Sequence, residues 1–413
     1  MKKSFKSNKG ITLVALVVTI VVLLILAGVS ISLVLGQNGL ITQAQEAKKK
    51  TAEATKNEEN EISSMSNYVY NETKILPQTA ETKPYYPSNE FKKVEGTDLS
   101  NGLVIEDASG NQYVWVEVPM TEEVYKTTKL NVTEFNEEVY GKIEEDLHQY
   151  TMAYRKWKNG IEAKAKDEYS EDDSYGWFKN AEEYNAQKYR MLKSVYKNGG
   201  FWVGRYEAGL DRFRKAVNNE ITKAPMSKEG LYPYVFVTRT QAKKLAEQVN
   251  YGEHIGSLMF GVQWDLILAF FHNKGNVQDN EIIGDSNTFG NYINATFTID
   301  RGKYAQFTHL TEWHNYTENW DDIVQDKVKK VQNEYIKGVI FTTGASDRNS
   351  VMNIYDIAGN VYEWTLEYSH QEDRCVERAG GAGSDGYGNC ASSRTYSKIT
   401  YSDNDDGFRI SIY

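Results

Sequence analysis

Residues 353–365 read NIYDIAGNVYEWT. Asp356 and Glu363 bring two acids onto one turn, and Gly359 permits the bend because it carries no Cβ. Tyr362 and Trp364 read as residues that pack a core rather than touch a ligand. This stretch decides the fold, because other short pieces fall into order on either side of it.

Before it come FWVGRYEAG (201–209), GVQWDLILAF (261–270) and FGNY (289–292). After it come RAGGAGSD (378–385), SSR (392–394) and GFRI (407–410). This order resembles the formylglycine-generating enzyme, or sulfatase-modifying factor, family, most specifically in YDIAGNVYEW, and over roughly residues 91–413. The resemblance implies an α+β domain of a C-type-lectin-like fold with little regular structure. It also implies a structural calcium, held by the Asp356 side chain, the Gly359 and Val361 carbonyls, and Glu363. Calcium takes hard oxygens in flexible geometry, so the donor set suits it. The alternative is that Asp356 and Glu363 cap backbone amides without a metal.

Family enzymes use two cysteines to bind copper(I). Carried over, the second falls on Cys390 and the first on Asp385. A carboxylate does not replace a soft thiolate at copper(I), so no copper and no formylglycine synthesis are expected. Cys375 does not match the catalytic position. Cys375 and Cys390 either form a disulfide or stay reduced and structural.

Between Gly381 and Gly407 the chain is dense in Tyr, Ser, Asn, Asp and Gly. That mixture combines rigid aromatic contacts with adaptable polar ones, as binding loops do. Asp385, Tyr387, Asn389, Arg394, Tyr396 and Tyr401 are candidate ligand contacts; the alternative is a solvated loop region that the fold requires.

Lys2, Lys3, Lys6 and Lys9 precede an uncharged run from Ile11 to Leu35. As a helix such a run is about 37 Å long, enough to cross a bilayer. The basic flank then puts the N-terminus in the cytoplasm and the bulk of the chain outside the cell. The segment resembles a type IV prepilin N-terminus, with leader Met1–Gly10 and a cut between Gly10 and Ile11. That resemblance implies a prepilin peptidase and other pilin subunits as partners. Ala15 stands where the family has a glutamate, which removes a charge that sets subunit register. A plain single-span anchor is the alternative.

The expected organisation is therefore a leader (1–10), an apolar stem helix (11–66), a proline-containing linker (67–90) and the domain (91–413). Within the domain, NGLVIEDASGNQYVWVEVP (101–119) reads as a hairpin. Residues 120–195 are rich in Glu, Lys and Tyr at helical spacing and read as a solvated helical insertion. TRTQAKKLAEQV (238–249) and GSLMFGVQWDLILAFF (256–271) read as helices. Net charge is −10 with no basic stripe beyond the N-terminus, which argues against nucleic-acid binding. Six histidines show no HExxH or HxH pairing, which argues against zinc or non-haem iron. The whole reads as a non-enzymatic, pilin-like cell-surface protein that displays a domain for recognition of an extracellular ligand or adhesion; the alternatives are an enzyme of the formylglycine-generating family acting by a non-cysteine mechanism, and a structural minor pilin or pseudopilin.

Overall fold

The computed structural model describes residues 16–26, 46–51, 54–55 and 75–413, except for 156–162, 172–176, 217–222, 296–298, 307–309, 311, 317–337, 371 and 373. The chain divides into two units, Met1–Lys74 and Ile75–Tyr413. In the first, residues 16–26 are helical. At about 1.5 Å per residue the described helical residues cover about 16 Å, against roughly 30 Å of bilayer core. Among the described residues, no helix is long and apolar enough to cross a membrane. This corrects the expected long N-terminal apolar helix, and with it the membrane anchor and the localisation drawn from it. Gly10, Ile11 and Ala15 lie outside the described residues.

The second unit contains far more regular structure than expected. Seven strands form one sheet: β1 (Lys92–Lys93), β2 (Val104–Glu106), β3 (Gln112–Glu117), β4 (Gly200–Gly204), β5 (Asn250–Tyr251), β6 (His254–Leu258) and β11 (Ile410–Ile412). Their order is β1-β2-β3-β4-β11-β6-β5, so the last strand of the chain lies inside the sheet. The β2–β3 hairpin turns on Asp107, whose Oδ1 accepts from the Ser109 and Asn111 amides at 2.9 and 2.8 Å. Trp115 lies opposite Trp202 across β3 and β4, with the rings edge-on at 5.0 Å.

A second sheet has the order β9-β8-β7-β10, from β7 (Tyr362–Ser369), β8 (Arg374–Arg378), β9 (Arg394–Ser397) and β10 (Asp406–Phe408). Strand β7 begins at the end of the opening stretch. It alternates Trp364, Leu366 and Tyr368 with Glu363, Thr365, Glu367 and Ser369, and all seven are buried. Burying two glutamates on one central strand demands cationic partners, because an unpaired buried charge is very costly. That demand organises the site described below.

Four helices matter for the site: α1 (Glu137–Tyr150), α2 (Ala181–Asn198), α3 (Arg239–Ala246) and α4 (Gly261–Asn273). Asn136 and Asn180 cap α1 and α2, each accepting an amide three residues on. Thr238 and Gln241 close a capping box on α3. The segment 256–271 is not one helix; β6 takes its start and α4 begins only at Gly261. From Ile75 onward the segment read as a linker belongs to this unit. The Thr82 hydroxyl donates to the Gly199 carbonyl at 2.8 Å and accepts from the Trp115 indole at 2.7 Å. The insertion is also packed rather than merely solvated: α2 buries Tyr184, Met191, Leu192 and Val195.

Candidate functional site

In the opening stretch, Asp356 has a left-handed backbone (φ +58) and is buried. Its Oδ2 accepts the Gly344 amide at 3.1 Å and its Oδ1 the Asn349 side chain at 3.2 Å. Burial pushes its pKa up to about 6. Gly359 also has positive φ (+73), and a Cβ there would meet the Asn291 carbonyl at 2.3 Å, so this position requires glycine. Val361 lies in an apolar cluster with Val235, Ala305 and Ile340. Glu363 is held by Arg409, with Nη2 2.6 Å from Oε1 and Nε 3.1 Å from both oxygens.

The two carboxylates thus turn to different partners, Asp356 to an amide and an asparagine, Glu363 to a guanidinium. They stay close enough that Asp356 adds to burial in raising the pKa of Glu363. The amide-capping alternative describes Asp356, and an ion pair describes Glu363. Sequence reasoning missed Glu207, inside FWVGRYEAG, which stands beside both. Its Oε2 accepts from Asn360 at 2.8 Å, and its Oε1 has no hydrogen-bond partner among the described residues. Burial first, then Asp356 and Glu363, raise its pKa well above the usual carboxylate range. The signal was a lone acid in a segment that is otherwise apolar apart from Arg205.

The six candidate ligand contacts do not form one surface. Asp385, Tyr387 and Asn389 share a turn, in which Asp385 Oδ1 accepts the Gly388 amide at 2.6 Å and the Asn389 amide reaches the Asp385 carbonyl at 3.0 Å. Asp385, Tyr387 and Tyr401 are exposed; Asn389 and Tyr396 are half-buried. Arg394 is buried, which corrects its assignment to the surface. Cys375 and Cys390 are both buried and reduced.

Arg394 belongs instead to an ion network beneath β7. Asp265, on α4, receives Arg394 at 2.7 Å, Arg378 at 2.8 Å and Arg155 at 3.2 Å. Glu367 receives Arg394 at 2.8 Å and Arg378 at 3.1 Å. All five side chains are buried, and the three guanidiniums outnumber the two carboxylates. Arg394 and Arg378 hold both carboxyls below their usual range, against the effect of burial, which is the largest single influence.

Arg155 also lines a cavity of about 410 Å3 beside α1, together with Glu144, His148, Asp167 and Lys188. Glu144 and His148 are one helical turn apart on α1 and share a face. Asp167 is fully buried, and its two oxygens accept the Gly261 and Val262 amides at 2.6 and 3.0 Å, at the first turn of α4. Burial, then Glu367 and Glu144, push its pKa up to about 7. Burial and the neighbouring Arg155 push that of His148 down to about 3, so the imidazole is neutral. Lys188 Nζ stands 3.0 Å from Glu144 Oε2 and donates to the Asp167 carbonyl at 2.9 Å. One donor atom each from Glu144, His148 and Asp167 lie within 4.8 Å of one another. None of these residues stands out in the sequence, because Glu144 and His148 form no HExxH or HxH pair and Asp167 is distant along the chain.

No protein-family model matches this chain, and no curated protein matches it.

Proposed function

We propose that this chain is a non-enzymatic recognition protein that holds its ligand on the C-terminal turns of a formylglycine-enzyme-like domain. The supporting observation is the exposure of Tyr387 (62%) and Tyr401 (44%). In the second unit, among the described residues, the only other large apolar side chains so exposed are Ile75 and Leu130. The turn under Tyr387 is fixed before binding: the Gly386 amide donates to Asn294 at 2.9 Å, and its carbonyl accepts the Ser286 amide at 3.1 Å. A preset turn loses little entropy when a ligand settles on it. A tyrosine ring flanked by Asp385 and Asn389 suits a polar ligand with an apolar face, such as a saccharide. At the N-terminus the proposal includes prepilin-type cutting between Gly10 and Ile11; an intact-mass measurement of the native protein that starts at Met1 would remove that part alone.

The test is binding of the full chain to a panel of immobilised oligosaccharides, with Tyr387→Ala and Tyr401→Ala compared against wild type. Loss of roughly tenfold or more in affinity for either variant is expected for an anchoring aromatic. No binding by wild type, or unchanged binding across both variants, overturns the reading.

A further inference from the structure

We propose that the cavity beside α1 binds a divalent transition-metal ion, zinc in first place, through Glu144, His148 and Asp167. Three kinds of observation on the described residues converge. The three donor atoms already lie within 4.8 Å of one another, so small side-chain rotations bring them onto a common centre at metal-bond distances of roughly 2 Å. His148 Nε2 is buried and has no hydrogen-bond partner. A buried ring nitrogen left so is costly, and native structures seldom leave one without a reason. Asp167 is already oriented: the Gly261 and Val262 amides each take one lone pair from its oxygens and leave the other lone pairs for a cation.

The donor set selects the class of metal. One imidazole nitrogen with two carboxylates disfavours magnesium and calcium, which take all-oxygen shells. The lack of a thiolate disfavours copper(I). Three protein donors with a cavity of about 410 Å3 beyond them leave a coordination position for water or a small ligand, the arrangement of open zinc sites. A zinc site needs no paired histidines when a third donor arrives from a distant segment, as Asp167 does here.

Lys188 makes the proposal discriminating. Its ammonium, 3.0 Å from Glu144 Oε2, competes with the metal for that carboxylate and repels the incoming charge. Replacing it with an apolar side chain of similar length therefore tightens metal binding, an effect that damage to the fold does not produce.

The experiment is calorimetric titration of the chelator-treated full chain with zinc, repeated with manganese, calcium and magnesium. One zinc per chain is expected, bound more tightly than calcium or magnesium. His148→Ala lowers zinc affinity by about a hundredfold and Glu144→Gln by about tenfold, on the scale that metal-site substitutions show. Lys188→Met raises it by about tenfold. The metal-free melting temperature of His148→Ala is read beside the titration, and a variant that still melts cooperatively separates ligand loss from unfolding. No saturable zinc binding by wild type, equal binding by His148→Ala, or weaker binding by a folded Lys188→Met each overturns the site. Calcium or magnesium bound as tightly as zinc overturns the assignment of metal class.

Discussion

Replacing Asp265 by asparagine keeps its shape and removes its charge from the centre of the buried ion network. In wild type it faces three guanidiniums at 2.7, 2.8 and 3.2 Å, none of them solvated. In the variant, Arg378 and Arg394 retain Glu367, but three cations face one carboxylate. Removing one partner of a buried ion pair costs about 3–5 kcal/mol, because the charge left behind stays desolvated. Unfolding entropy near 60 °C is about 2.1 cal/mol/K per residue, or about 0.7 kcal/mol/K for a unit of about 340 residues. The cost therefore lowers Tm by about 4–7 °C. Differential scanning calorimetry of the full chain reads it, with Glu138→Ala as the contrast. Glu138 pairs with Lys142 at 2.6 Å on the exposed face of α1, and its loss leaves Tm unchanged. The two pairs have similar distances, so the comparison isolates desolvation. A drop under about 1 °C for Asp265→Asn, or equal drops for both variants, would refute the reasoning.

Two other outcomes follow from the same sheet. Glu377 and Asp406 face each other buried, each with one oxygen that lacks a hydrogen-bond partner, near Asp403, Asp405, Tyr401 and Ser397. Burial pushes Asp406 up to about 7 and Glu377 well above its usual range. The folded state therefore binds protons that the unfolded state releases near pH 4, and this contribution to stability falls as pH rises from about 4 to 7. Tm should decline between pH 5 and 8, and Asp406→Asn should flatten the decline; parallel Tm–pH curves would defeat the assignment. Gly261→Ala places a Cβ 2.1 Å from Glu367 Cδ, where α4 presses on the ion network. Overpacking there costs about 1–3 kcal/mol, and thermal melting should show a drop of roughly 1–4 °C; a wild-type Tm would mean that Glu367 moves freely.

Local structure was legible in the sequence, and long-range electrostatics was not. The hairpin at Asp107 and the helix that follows Thr238 each rest on neighbouring residues, which periodicity and turn chemistry read directly. The ion network draws on residues 155, 265, 367, 378 and 394, and no period connects them. What the sequence did hold was the demand for such a network: two glutamates in EWTLE (363–367) on a strand otherwise fit for the core, and arginines at 378, 394 and 409 further along. The same logic explains why a cation-binding turn was expected where two acids stand close in sequence, around Gly359. Proximity along the chain put Asp356 and Glu363 on one turn, and their hydrogen-bond partners arrive from Gly344, Asn349 and Arg409. At α1 the opposite happened. Glu144 and His148 looked like part of a solvated face, and only Asp167, brought in by the first turn of α4, turns that face into a set of converging donors. In this chain the partners of each buried acid come from distant segments, and that is a property of the assembled sheets rather than of the local motif.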